Sequence, residues 1–402
     1  MIKNYDSQKL ERVSLVAPVR VICENPESMF NYFAWPTVTR LPDGRLAMYA
    51  SGMRTRHVCP FGKVTVCYSE DDGATWSKPE ILINTPLDDR DAGVAVAGNR
   101  VCVTTFNNTV AFQRMIAERD AEVMPEELKK AIFEHLDSMD AESAESAEKE
   151  YFGSLCFISE DGGKNFSAPI RVPVSAPHGP SVTLDGRFIY VGRRMDTKYD
   201  AGAEAENSTD KIQCYLENEK GEFEHLSTIA DIDAEVDGRA VEPCEPHCIV
   251  LPSGRIVAHI RGQHCIEGFG GEGWKDFTLY QSVSDDGGKT FSKPEAVLPV
   301  LGGAPPHLHL HSSGALVCTY AYRKWYDKVD KPDEKSVVCA LISYDEGETW
   351  KAYHICDAEH PWDMGYPATV EKADGTLLTI FYDHKGEGPA VIKAVDWELP
   401  NN

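Results

Sequence analysis

The residues of this 402-residue chain best suited to chemistry emerge from a count of positions. Short stretches run from a Pro-containing start through an apolar strand to an Asp-Gly or Ser-Gly turn. Counting back eight residues from the first turn residue reaches Trp35, Glu245, Pro305 and Tyr366. His178 takes that place in a stretch with a shorter strand, and the triplet Asp89-Arg90-Asp91 takes it in another. Counting seven residues past the turn glycine reaches Arg193, Arg261 and Tyr382, with Arg323 two positions further on in its own stretch. A guanidinium is a planar fork of N–H donors that fits a carboxylate or sulfate, so Arg90, Arg193, Arg261 and Arg323 could converge on one anionic group. His57, in Arg54-Thr-Arg56-His57, can act as a general acid or base near neutral pH, with Arg54 and Arg56 placed to tune it. Trp35 offers a flat face for stacking.

Such residues need a frame that brings distant stretches to one place, and a second repeat supplies it. One phrase is written four times: Ser69-Glu-Asp71-Asp-Gly73-Ala-Thr75-Trp76, then from Ser159 to Phe166, Ser284 to Phe291 and Ser343 to Trp350. Each follows a β-rich apolar run and reads as a hairpin tip, in which Asp bonds its own turn and Gly tolerates positive φ. The spacings of 90, 125 and 59 residues fit one unit with an insertion, two units with one degenerate box near Glu217 to Phe223, and one plain unit. With the Pro-to-turn stretches this makes six units, and hence an all-β, six-bladed β-propeller in a single domain over 1–402. The sixth unit is a strand short, and the alternating residues 13–23 can supply that strand and close the ring.

The phrase resembles the Asp-box, or BNR repeat, of the sialidase (neuraminidase) superfamily. The resemblance implies a Tyr nucleophile on the last blade, a Glu that takes its proton, three Arg that clamp a substrate carboxylate and an Asp acid/base on the first blade. Carried over residue by residue, Tyr366 in Gly-Tyr366-Pro-Ala-Thr-Val resembles the nucleophile, Glu245 in Glu245-Pro-His-Cys the Glu, and Arg261 in His-Ile-Arg261 the central clamp. A phenol ionises only near pH ~10, so it needs such a carboxylate to attack a sugar at neutral pH. A neutral Tyr also approaches an anomeric centre beside an anionic group without repulsion. Three departures stand out. Phe33-Ala34-Trp35-Pro36 has Ala34 where the first clamp Arg belongs, His57 falls at or near the acid/base Asp, and the stretch Glu334-Lys335-Ser336-Val337-Val338 shortly before the Ser343 box holds no Arg, so Lys335 or Arg323 would have to substitute. The implied activity is therefore a sialidase-like glycoside hydrolase acting on a terminal acidic sugar, without the motif that specifies sialic acid. The alternatives are a polysaccharide lyase, with His57 and Tyr366 moving protons at a uronate, and a carbohydrate-binding propeller without catalysis.

Composition narrows the partners. A net charge of -24 disfavours nucleic acid and anionic membranes and leaves an oligosaccharide as the expected partner. No apolar run could span a bilayer, and the opening Met1-Ile-Lys-Asn-Tyr-Asp lacks a secretion-signal profile, so a cytoplasmic location is expected. Twelve Cys, mostly in apolar strands, fit reduced buried thiols. No cofactor is expected. Cys244, His247, Cys248, His264 and Cys265 are close in sequence, but Cys244 and Cys248 stand too far apart along a strand to chelate one ion easily, so no metal is expected either. Residues 108–150 break the β pattern. Met124-Pro-Glu-Glu-Leu-Lys-Lys-Ala-Ile-Phe predicts a helix, making this segment an insertion in blade two that serves as surface decoration, lid or subunit contact, the last giving a homo-oligomer.

Overall fold

The computed structural model describes residues 6–195, 211–236, 239–265, 274–298, 304–323, 335–386 and 388–401. It is a six-bladed β-propeller. Blade one runs Tyr32–Arg40, Leu46–Arg54, Lys63–Ser69 and Glu80–Ile83, each strand antiparallel to the next. Blade two is Arg90–Ala97, Arg100–Asn107, Gly153–Ser159 and Ile170–Val172. In blade three the inner strand is reduced to Val174–Ser175 and Ser181–Val182, both paired with Phe188–Arg194. Blade four is built on Glu242–Val250 and blade five on Ala304–Leu310. Blade six runs Gly365–Glu371, Leu377–His384 and Ala390–Trp397, and its fourth strand is Leu15–Cys23 from the other end of the chain. Just before that strand, Glu11–Arg12 adds a parallel fifth strand to blade five, so the chain's first segment ties two blades.

The inner strands pack side by side, and the ring closes where Gly365–Glu371 meets Tyr32–Arg40. His247 Nδ1 accepts the Leu308 N–H at 2.9 Å and His307 Nδ1 accepts the Thr369 N–H at 3.2 Å, so each of these imidazoles bonds the backbone of the next blade. Gly93 is needed at the contact of blades two and three, because a Cβ there would lie 2.2 Å from the Gly179 nitrogen. The four Asp-box tips join third to fourth strands. In the first, Ser69 Oγ and Thr75 Oγ1 donate to Asp71, and Gly73 N donates to Ser69 Oγ. The degenerate copy is a hairpin tip as well, with Asn218 Oδ1 accepting from the Lys220 and Glu222 amides. Since neighbouring strands alternate in direction, these tips share an end with the Asp-Gly turns and lie opposite the start of the inner strands.

Blade two carries three helices between its second and third strands. Helix α1 (Val110–Arg119) is capped by Thr109, α2 (Glu126–Ser138) follows Pro125 with two acids in its first turn, and α3 (Ala141–Tyr151) is capped by Asp140. Val110, Ile132, Leu136 and Ala147 bury a small core of their own with Leu87, and the ring of Phe61 lies 5.0 Å from that of His135. The segment thus packs on the loops at the inner-strand start. No described helix is long and apolar enough to cross a membrane.

Candidate active site

At the start of the inner strands the backbone bends in one repeated way. Trp35, Asp91, Glu245 and Tyr366 have φ of 53°, 52°, 41° and 51°, and Gly179 has 81°. Each is followed by Pro or Ala, and the pairing register slips by a residue at this point in blades one, two, four, five and six. The slip is a bulge, which turns the side chain toward the channel mouth. Left-handed backbone is unfavourable for non-glycine residues, and its recurrence marks positions where the side chain is needed. In blade three the place belongs to Gly179 and not to His178.

Tyr366 and Glu245 meet from blades six and four. The phenol donates to Glu245 Oε1 at 2.7 Å, and Arg261, paired with Cys244 on the neighbouring strand, ion-pairs with the other carboxylate oxygen. Arg323 of blade five lies with its guanidinium carbon 5.5 Å from the Tyr366 ring centre, held by Met364 O and Tyr382 Oη. Arg193 of blade three reaches Cys244 Sγ at 3.8 Å. Burial pushes the Tyr366 phenol well above its usual value and Glu245 and Asp91 add to the rise, while Arg261 and Arg323 oppose it. Tyr366 is therefore a neutral phenol with its acceptor already in place.

Asp91 is a residue that the position count brackets without singling out. It is 8% exposed and makes no hydrogen bond or ion pair among the described residues. Burial, followed by the charge of Glu245, raises its carboxyl to about 7 against the pull of Arg90 and Arg54. Its signal in the sequence was its place before Ala92, equivalent to Tyr366 before Pro367.

Six of the residues expected at the ligand are engaged in contacts within the protein. Arg54 is fully buried, ion-paired with Asp88 at 2.7 Å and bonded to Ser51 Oγ and the His57 carbonyl. Arg90 donates to the same carbonyl at 2.8 Å and covers one side of Trp35 with its guanidinium carbon 4.4 Å from the ring centre. Arg56 ion-pairs with Asp120 at the end of α1, fastening the insertion to the loop that carries His57. Trp35 is 1% exposed, wedged among His57, Tyr366, Tyr382 and these arginines, so it has no open face for stacking. His178 is likewise buried, bonded to Thr37 and set edge-on to His247 and His307. Lys335 pairs with Asp357 on the outer strand of blade five.

His57 stands at the mouth with its side chain half exposed, T-shaped to Trp35 at 4.8 Å. The surrounding protein lowers its pKa by desolvation, Asp363 raises it, and Arg90 and Arg54 lower it further. Asp363 is the hub of a group absent from the sequence expectations, accepting hydrogen bonds from Tyr32, Tyr382 and His384. Among the described residues no group of His, Cys, Asp and Glu is arranged to hold a metal ion. The His264 and Cys265 side chains lie outside the described residues.

Comparison with known proteins agrees with this architecture. The sequence matches the BNR repeat-like domain over residues 137–379, more than half of the chain. The chain belongs to the BNR repeat-like family. A comparison with curated proteins finds no match. Among solved structures, a protein of unknown function from Dyadobacter fermentans is 19% identical with a TM-score of 0.68, covering 96% of this chain and 99% of its own. The NanB sialidase of Streptococcus pneumoniae is 13% identical, with a TM-score of 0.59 over 95% and 71%. The α-L-arabinofuranosidase Arb93A of Fusarium graminearum is 11% identical, with a TM-score of 0.59 over 96% and 98%. These likenesses establish a sialidase-like propeller fold for this BNR repeat-like protein.

Proposed function

We propose that the protein is a cytoplasmic glycoside hydrolase that releases a terminal acidic sugar from an oligosaccharide. Tyr366 is the nucleophile, Glu245 its base and His57 the acid/base. The observation that carries this reading is the 2.7 Å hydrogen bond from the buried Tyr366 phenol to a Glu245 carboxylate steadied by Arg261. As the phenol oxygen bonds the anomeric carbon, its proton passes to Glu245, and His57 protonates the departing oxygen. Water then hydrolyses the glycosyl-tyrosine, with His57 taking its proton and Glu245 returning one to the phenol oxygen. Arg193, Arg261 and Arg323 come from three successive blades, Arg261 on Glu245, Arg323 beside the Tyr366 ring and Arg193 against Cys244, which suits an acid group on the sugar. Asp91, protonated around neutrality, can donate a hydrogen bond to a sugar hydroxyl.

The lowered pKa of His57 favours one second reading, because a neutral imidazole is a base, as a lyase acting on a uronate requires. Product chemistry separates the two. With aryl glycosides and uronate oligosaccharides, a hydrolase gives new reducing ends without ultraviolet absorbance, whereas a lyase gives an absorbing unsaturated uronate. Tyr366→Phe is expected to lose at least about a thousandfold in kcat while staying folded, and Glu245→Gln to lose kcat more than substrate binding. Full turnover by Tyr366→Phe would end the covalent mechanism.

A further inference from the structure

We infer that Asp363, through the hydroxyl of Tyr32, positions His57 and fixes which of its nitrogens faces the pocket. This rests on the reading of His57 as the proton-transfer group. Tyr32 Oη lies 3.0 Å from both Asp363 oxygens and 3.4 Å from His57 Nδ1, while Asp363 Oδ1 is itself 3.5 Å from Nδ1. A phenol has one hydrogen, and a carboxylate that can only accept takes it. The Tyr32 oxygen then faces His57 with a lone pair, so Nδ1 must carry the proton. Nε2, across the ring and away from Asp363, is left to give a proton to the leaving oxygen and to receive one from water.

The rest of the cluster keeps Asp363 an anion. His384 sets Nε2 against Asp363 Oδ2 at 2.9 Å and Nδ1 against the Gly388 carbonyl at 2.6 Å. Both neighbours are acceptors, so both nitrogens carry hydrogen and His384 is an imidazolium. Burial disfavours that cation, and the bond and charge of Asp363 together with the Gly388 carbonyl and the charge of Asp383 outweigh the penalty. His360 stacks on it at 4.0 Å with Nδ1 accepting the Asp363 amide, and is neutral. Tyr382 donates to Asp363 and accepts from Arg323. The charged groups about His57 are thus Asp363, which favours its protonated form, and Arg54 and Arg90, which oppose it. Asp363 is a positioning residue, touching the proposed substrate only through His57.

The test uses the full chain labelled with ¹⁵N-histidine, the His57 ring signals being assigned by their loss in His57→Asn. The neutral form is expected to show a protonated Nδ1 and a bare Nε2. In Asp363→Asn the His57 pKa should fall by about one unit, the limb of the pH–rate profile that His57 sets should move down with it, and kcat should drop at least about tenfold with KM within about twofold. Tyr32→Phe removes only the bridging hydroxyl and leaves the bond from His384 to Asp363, so it should give the mixed tautomer with the fold intact. A wild-type His57 protonated on Nε2, or ring shifts and a pKa unchanged in both variants, overturns the assignment. Full activity of His57→Asn would instead sink the proton-transfer role, and the ring spectra would still decide what Asp363 does.

Discussion

Asp91→Asn should stabilise the protein, and by an amount that depends on pH. The carboxyl sits 8% exposed without a hydrogen bond or ion pair among the described residues, and its pKa is raised from a usual value near 3.8 to about 7. Below the unfolded value both states hold the proton and there is no penalty. Between about 4 and 7 the unfolded chain releases it while the folded chain keeps it, and stability falls by up to about 1.4 kcal/mol per pH unit. Above 7 the full penalty is present, on the order of 4 kcal/mol. Asn keeps the shape, tolerates the left-handed φ of 52° and removes the charge. With an unfolding entropy of about 2.1 cal/mol/K per residue, 4 kcal/mol corresponds to about 5 °C in a chain of this length. Calorimetric melts of wild type and variant at pH 4, 5.5, 7 and 8.5 should therefore show a Tm difference that grows from near zero to a plateau of a few degrees. Activity should fall at the same time. A difference that stays constant across pH would refute the reasoning, since other titrations cancel in the comparison.

Other outcomes follow from contacts elsewhere in the propeller. Arg54→Met removes the closer of two cations from the buried Asp88, leaving only Arg90 at 3.6 Å, and should cost about 3 kcal/mol, or a few degrees in Tm; an unchanged Tm with a raised KM would restore Arg54 as a ligand. Removing residues 6–23 uncovers the edge of Ala390–Trp397 and should give aggregated protein by size-exclusion chromatography, and a soluble monomer with wild-type melting would show that Leu15–Cys23 is dispensable.

The fold was legible because its signals are local. An Asp-box needs only eight consecutive residues, and a strand and turn of fixed length make the count to Tyr366 and Glu245 a geometric statement. Partners of the arginines were not legible. Arg54 and Asp88 are 34 positions apart, and Arg56 and Asp120 are 64 apart; nothing in either neighbourhood announces the pairing. Trp35 holds the right register but is enclosed by arginines from two blades, which a count along one strand cannot see. The blade-three count failed by one residue because Gly179 itself takes the left-handed position and the inner strand there is broken in two.

The repeated bulge explains why one register carries both structure and chemistry. A regular inner strand alternates its side chains between the two faces of its blade, so none would point along the channel axis. Left-handed backbone near the start of the strand breaks that alternation and projects a side chain toward the mouth in blades one, two, four and six, at a strain of order 1–3 kcal/mol for each. Trp35 fills its place with a buried aromatic that orders the His57 loop, and Gly179 avoids the strain altogether. Asp91, Glu245 and Tyr366 keep the strain and present polar groups, buried for Asp91 and Tyr366 and part-buried for Glu245, that are costly to take from water. A scaffold selected for stability alone would place glycine or an apolar side chain at all of these positions. Unfavourable backbone coincides with a buried or part-buried polar group on the same three residues, and this coincidence is the reason for proposing this mouth as the site of function.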